Sequence, residues 1–166
     1  MRTDDLEVGP DTRQYLTFLL GDGIFAIDIR TIQEIIPYGF MTQVPLMPEF
    51  IRGIINLRGA VVPVIDMKSR LGRDRCIKGN KTCIVIIDSK SQTGSTQLGL
   101  MVDAVSEVIE IPSIDIEPAP QFGAPIRREF IEGMAKINNE FIVVIKPEQT
   151  TDIDVLTNMI EDGIGI

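Results

Sequence analysis

The chain has 166 residues, with 16 Lys+Arg against 24 Asp+Glu, a formal charge of -8, 44% hydrophobic residues, and neither His nor Trp. Without histidine there is no Ser-His-Asp or Cys-His catalysis, no phosphohistidine and no imidazole ligand for zinc. The acidic balance argues against binding to nucleic acid, where duplex affinity rests on neutralising phosphates.

Cys76 and Cys83 have no histidine near them, so neither a disulfide framework nor a zinc site is indicated, and reduced thiols are expected. Residues 1–12 form an acidic, polar lead expected to be disordered, unlike a secretory signal. The longest uncharged stretch, 35–48, contains Pro37, Pro45 and Pro48 and falls short of the ~20 residues of a membrane span. A soluble, cytoplasmic protein without direct membrane insertion is expected.

Tyr15 to Leu20 is an apolar run, followed by Gly21-Asp22-Gly23 and an alternation through Phe25, Ile27 and Ile29, which predicts a hairpin turned at Asp-Gly. Ile29, Ile32, Ile35 and Ile36 then predict a short helix, capped by Asp28 and stopped by Pro37. Pro48 to Gly53 predicts one helical turn. Ile54–Leu57 and Ala60–Ile65 predict strands joined at Arg58-Gly59, with Pro63 marking an edge or a bulge. Asp66 to Leu71 predicts a capped helix ending at Gly72.

After a basic loop over 72–81, the pattern resumes with strands at Cys83–Asp88, Gln97–Val102 and Val105–Ile111, the first two separated by a polar loop. A proline-rich connection, 112–125, precedes strands at Met134–Ile137 and Glu140–Lys146, turned at Asn138-Asn139. The tail places Ile153, Leu156, Met159 and Ile160 at helical spacing, predicting a C-terminal helix over 148–162 that docks one apolar face.

The second half repeats the first. At an offset of 80, Glu49–Asp66 and Glu129–Lys146 align without a gap, with six of eighteen positions identical. At an offset of 73, Ile32–Ile36 echoes Val105–Ile109. Each half offers about five strands, the content of a small barrel. The expected fold class is all-β, two five-stranded barrel subdomains over 13–72 and 80–147 within one domain, 13–162. Residues shared by both copies, including Gly53 and Gly133, fall on the structural side; those that differ, such as the Arg58-Gly59 turn and Arg52 opposite Glu132, are free for another use or have simply diverged.

Little chemistry is legible. Gly21-Asp22-Gly23 followed by Ala26 matches the dinucleotide fingerprint in letters only, because it leads into a strand rather than opening a helix. Asp28, Glu34, Asp66, Asp103 and Glu107 are candidate carboxylates, but no spacing gathers them in a cleft, and Asp28 and Asp66 stand where caps belong. No catalytic, metal or cofactor site is expected. The six cations between Lys68 and Lys81 form a solvated loop or steer an acidic partner.

Ile32-Gln33-Glu34-Ile35, Phe50-Ile51-Arg52-Gly53 and above all Asn56-Leu57-Arg58-Gly59 resemble the CheW-like domain family, from Gln14 to about Asp162. Asp103 to Val108 and Pro118-Ala119-Pro120 are similar to the family pattern too. Met67-Lys68 departs from it, standing where Leu-Arg is common. The resemblance implies two packed SH3-like barrels and a non-enzymatic adaptor without cofactors. Its implied partners are the regulatory domain of the histidine kinase CheA and the cytoplasmic tip of chemoreceptors, in membrane-associated arrays. By motif position Arg58, Asn56, Gly53, Ile32 and Glu34 fall at receptor-coupling places, with Arg52 and Ile35 as further partner surface. An adaptor of another kinase pathway, such as pilus motility or surface sensing, is the nearest alternative; a small-molecule-binding double barrel is the more distant one.

Overall fold

The computed structural model describes residues 11–70, 79–91, 94–118 and 131–146. The expectations for the N-terminal lead before residue 11, for most of the basic loop and for the C-terminal helix over 148–162 lie outside the described residues.

Ten strands dominate: β1 (Thr12–Leu20), β2 (Gly23–Asp28), β3 (Ile32–Pro37), β4 (Ile51–Leu57), β5 (Ala60–Asp66), β6 (Cys83–Ser91), β7 (Gly94–Val102), β8 (Ala104–Pro112), β9 (Ile131–Ile137) and β10 (Glu140–Ile145). They form two five-stranded sheets, in the orders β8-β1-β2-β10-β9 (sheet I) and β3-β6-β7-β5-β4 (sheet II). In each, one parallel pairing joins two antiparallel sets: β2 with β10, and β5 with β7. The outer ends of each order are drawn together by a backbone bridge with two hydrogen bonds, Thr42 with Ile54 (2.9 and 2.8 Å) and Glu117 with Met134 (both 2.8 Å).

Both sequence repeats are present, but not as the consecutive subdomains 13–72 and 80–147. The β1-β2 hairpin of the first repeat lies in sheet I beside β8, β9 and β10 of the second, and β6-β7 of the second lies in sheet II beside β3, β4 and β5. The repeats have exchanged hairpins. The offsets survive the exchange: Ala26 pairs with Val144 as Gly99 pairs with Val64, a shift of 73 on one strand and 80 on the other.

Three apolar clusters follow. Tyr15, Ala26, Ile111, Ala135, Ile142 and Val144 fill the inside of sheet I, and Val62, Val64, Ile84, Ile86 and Met101 fill sheet II. The largest lies between the sheets and includes Leu16, Phe18, Phe25, Ile27, Ile65, Val85, Ile87, Leu98 and Leu100. Central strands are therefore buried on both faces, which is why Cys83–Ile87 and Leu98–Val102 run apolar without alternation.

The helix expected over Ile29–Ile36 is instead a 3-10 turn, Ile29–Thr31, and then β3. The cap is where expected, with Arg30 N donating to Asp28 Oδ1 at 2.9 Å. The helical spacing is a product of a bulge. Ile32 pairs with Ile87 but Glu34 with Ile86, so one extra residue puts Ile32 and Ile35 on the same face at a separation of three. The same irregularity recurs in β8, where Val105 and Val108 stand opposite Phe18 and Leu16. There the buried Thr17 hydroxyl occupies the bulge, donating to Glu107 O (2.9 Å) and accepting from Glu107 N (3.0 Å).

Other boundaries shift in explicable ways. Ile51 N donates to Pro48 O (2.9 Å), but the expected helical turn ends there because β4 already starts at Ile51. The β6-β7 ladder extends to Ser91 and Gly94 through residues expected as loop, since backbone pairing needs no apolar side chain. Pro63 is in an interior strand, but pairing of β5 with β7 begins at Val64, so its missing N–H breaks no bond of the parallel ladder. The first hairpin turns at Gly21-Asp22, with positive φ at Gly21, rather than at Asp22-Gly23.

Partial burial pushes the Asp28 carboxyl up, but hydrogen bonds from the Arg30 side chain and backbone, with the charges of Arg30 and Arg13, outweigh it and hold the pKa below the usual range. A depressed folded pKa stabilises the protein above the ordinary carboxylate value, near 4, and this is lost as pH falls through the folded pKa. Asp28→Asn is expected to lower Tm at pH 7 and to converge with the unsubstituted chain at an acid pH below the folded pKa of Asp28. Equal deficits at both pH values would exclude the ion-pair contribution.

Candidate functional site

The turn between β4 and β5 projects Arg58. Both its central residues have positive φ, Arg58 at 52° and Gly59 at 86°, the pattern that matches the twist of a two-residue hairpin. The equivalent turn in the second repeat, Asn138-Asn139, has the same form at 52° and 68°. Asparagine tolerates this region and arginine is less suited to it. Asn56 secures the conformation, its Oδ1 accepting from Gly59 N at 3.0 Å.

The Arg58 guanidinium is paired with Glu34 on β3, donating from Nη2 to Oε1 and from Nη1 to Oε2, the latter at 3.5 Å. The Arg58 hydrogen bond holds the Glu34 carboxyl below its usual range, against partial desolvation. β3 and β4 stand at opposite ends of the strand order, so the pair crosses the seam that the Thr42–Ile54 bridge also closes. Beside Glu34 on β3, Ile35 is 44% exposed, and Gln33 accepts a hydrogen bond from Gln97 Nε2.

Five of the seven expected site residues sit at or next to this seam with exposed or half-buried side chains, or secure its turn: Arg58, Asn56, Glu34, Ile35 and, at the strand start, Ile32. Ile32 packs against the core between the sheets, whereas Ile35, on the same face of β3, is left 44% exposed. Gly53 is buried. A Cβ there would lie 2.7 Å from Thr42 O, so Gly53 permits the bridge that closes the seam and presents no surface. Gly133 has the same task, a Cβ falling 2.6 Å from Glu117 O.

Arg52 turns inward. Its Nη1 lies 3.3 Å from Oδ2 of the fully buried Asp66, whose Oδ1 accepts from Ser69 N at 3.2 Å and caps the short helix α1 (Met67–Arg70). Arg52 is thus a strut between β4 and the end of β5. The sequence carries a signal for this pairing: at an offset of 80 the two places hold Glu132 and Lys146, the charges exchanged. Asp66→Ala leaves the Arg52 charge in a largely buried place, and a loss of about 3–5 kcal/mol is expected in urea unfolding. A loss below about 1 kcal/mol would remove the pair from the structural account.

Two of the remaining candidate carboxylates, Asp28 and Asp103, accept hydrogen bonds from backbone N–H groups. Asp103 Oδ2 accepts from Gly21 N at 2.6 Å, tying the first hairpin turn to the start of β8. Among the described residues no group of three or more Asp, Glu or Cys side chains is placed to hold a metal, and no helix is long and apolar enough to cross a membrane.

Two five-stranded sheets of one topology sharing a common core, with an arginine turn clasped to the opposite edge strand, define a double-β module built by duplication. The CheW-like domain model matches residues 14–154, and the chain belongs to that family. It is 32% identical over 134 residues to the chemotaxis protein CheW of Rhizobium meliloti, covering 81% of this chain and 84% of that protein. Identity to the chemotaxis protein CheW of Klebsiella aerogenes is 29% over 137 residues, 82% and 80% of the two chains. The crystal structure of the scaffolding protein TtCheW from Thermoanaerobacter tengcongensis superposes with a TM-score of 0.73 at 38% identity, covering 83% of this chain and 86% of that one.

Proposed function

We propose that this protein is a non-catalytic adaptor that links the cytoplasmic tips of chemoreceptors to the regulatory domain of a CheA-type histidine kinase in the cytoplasm, at membrane-associated arrays. The observation that carries this reading is the family match over residues 14–154, joined to a surface arginine held in a strained turn and clasped by Glu34. A left-handed arginine on an exposed turn is costly to keep where a glycine or asparagine would serve. That cost is accounted for when its guanidinium meets something the second repeat, with Asn138, does not.

An adaptor transmits a signal as a coupling free energy between sites on one scaffold. The seam suits that role, because Arg58 and Glu34 join two segments that meet only at the closure of sheet II. Weak individual contacts suffice in an array, where linkage raises effective concentration.

Titration calorimetry against the regulatory domain of the CheA-type kinase of the same organism tests the adaptor class. Micromolar or tighter binding is expected, with unchanged affinity for Arg58→Glu, which assigns Arg58 to the receptor side. Absence of binding at high micromolar concentration would remove the CheA link and leave the alternative of another kinase pathway.

A further inference from the structure

The seam of sheet II is fastened at two points. Among the described residues, the backbone hydrogen bonds that cross to β4 from the β3 side are those of the bridge, Thr42 N donating to Ile54 O at 2.9 Å and Ile54 N to Thr42 O at 2.8 Å. The other fastening is the side-chain pair of Arg58 and Glu34. From the bridge to this pair the β4 side advances four residues, about 13 Å at strand rise, while the facing chain runs eight, about 26 Å. The surplus bows out between Tyr38, whose N donates to Thr82 O at 3.3 Å, and Thr42. Phe40 lies in that bow, 90% exposed, and a Cβ on Gly39 would meet nothing within 4 Å.

Beyond the bridge the chain returns to β4 through Leu46, which is fully exposed and has φ 62°. A leucine in the left-handed region is an outlier, and this one buries nothing that would offset its strain. It persists because its segment is held on both sides, by the bridge at Thr42 and by Ile51 N donating to Pro48 O at 2.9 Å. Segment 38–50 is therefore a strained strap across the seam, secured by a two-bond bridge and one ion pair.

We propose that the Arg58–Glu34 pair is a latch on this strap. Closed, it holds β3 against the β4-β5 turn and keeps the bridge made. A partner that takes the Arg58 guanidinium for its own carboxylate or carbonyl groups frees Glu34, and the strap opens; this opening rests on the reading of Arg58 as a partner contact, whereas the latch stands on the geometry of the free chain.

The second repeat supplies the unlatched counterpart. In sheet I the Glu117–Met134 bridge has the same two hydrogen bonds, but Asn138 stands at the place of Arg58 and has no charge to offer across the seam. One seam is latched and the other is not. Such a local opening equilibrium is what lets binding at one point change the surface at another.

Hydrogen exchange of single amides in the full chain reads both seams at once. An exposed ion pair shifts a local equilibrium by roughly two- to fivefold, so the amides of Thr42 and Ile54 are expected to exchange faster by that factor in Arg58→Asn. Those of Glu117 and Met134 are expected to stay unchanged. Asparagine suits the positive φ of this turn, as Asn138 shows, so the turn keeps its form and the overall Tm does not fall. Equal rates at Thr42 and Ile54 in the two chains would overturn the proposal. So would faster exchange at all four amides, the sign of a general loss of stability rather than an opened seam. Neither kinase nor receptor enters these readings, so a failed latch leaves the adaptor reading standing, and an absence of kinase binding leaves the latch.

Discussion

Arg58→Glu is expected to abolish receptor-dependent activation of the kinase in a reconstituted array while leaving the thermal unfolding transition essentially in place. The substitution sets two carboxylates against each other across the seam, Glu34 having lost the hydrogen bond that lowers its pKa. Backbone strain does not change, since glutamate meets the same penalty as arginine at φ 52°. Exposed ion pairs contribute little to folding, so a large functional loss with a preserved Tm separates signalling from stability. The double variant Glu34→Arg, Arg58→Glu restores opposite charges with the geometry reversed. Partial recovery of activation would show that the clasp matters, and no recovery would show that a partner reads the guanidinium itself. Full activation by the single variant would defeat the assignment of Arg58.

Gly133→Ala and Gly53→Ala are expected to carry the largest stability losses among single glycine changes. A Cβ on residue 133 would fall 2.4 Å from Ile116 Cγ2 and 2.6 Å from Glu117 O, and one on residue 53 would fall 2.7 Å from Thr42 O. Backbone oxygens in a two-bond bridge cannot yield as a side-chain end can, so each bridge must open or shift. A cost of about 2–4 kcal/mol is expected for each, or roughly 5–15 °C in Tm for a chain of this size. Gly39→Ala is the control, because its Cβ would meet nothing within 4 Å. If Gly133→Ala and Gly39→Ala unfold at the same urea concentration, the bridges do not hold the sheets closed.

Much of the site was legible residue by residue. The Asn56-Leu57-Arg58-Gly59 turn, the caps at Asp28 and Asp66 and the shared Gly53 and Gly133 each leave a local mark, because each depends on one backbone conformation or one close approach. The pairing of Arg58 with Glu34 was not legible, since 24 residues separate them and their strands meet only when sheet II curls. Arg52 illustrates the opposite case. Its position in the motif suggested surface, and the buried carboxylate of Asp66 draws it inward instead.

The isoleucines of β3 show how a local rule fails for a physical reason. A spacing of three is the mark of a helix in a regular chain, but one bulge produces it in a strand, and only the ladder with β6 reveals which is present.

The amino-acid sequence by itself determined the duplication, the hairpin turns at Arg58-Gly59 and Asn138-Asn139 and the lack of histidine chemistry, because composition and short-range pattern carry all of these. Tertiary structure alone decided which hairpin completes which sheet. The two repeats present the same alternation of apolar residues, so β1-β2 offers β4-β5 and β9-β10 equivalent edges. Local pattern cannot rank those pairings. They are distinguished only by the core that forms between the sheets, where Leu16, Phe18, Phe25 and Ile27 of the first repeat meet Val85, Ile87, Leu98 and Leu100 of the second.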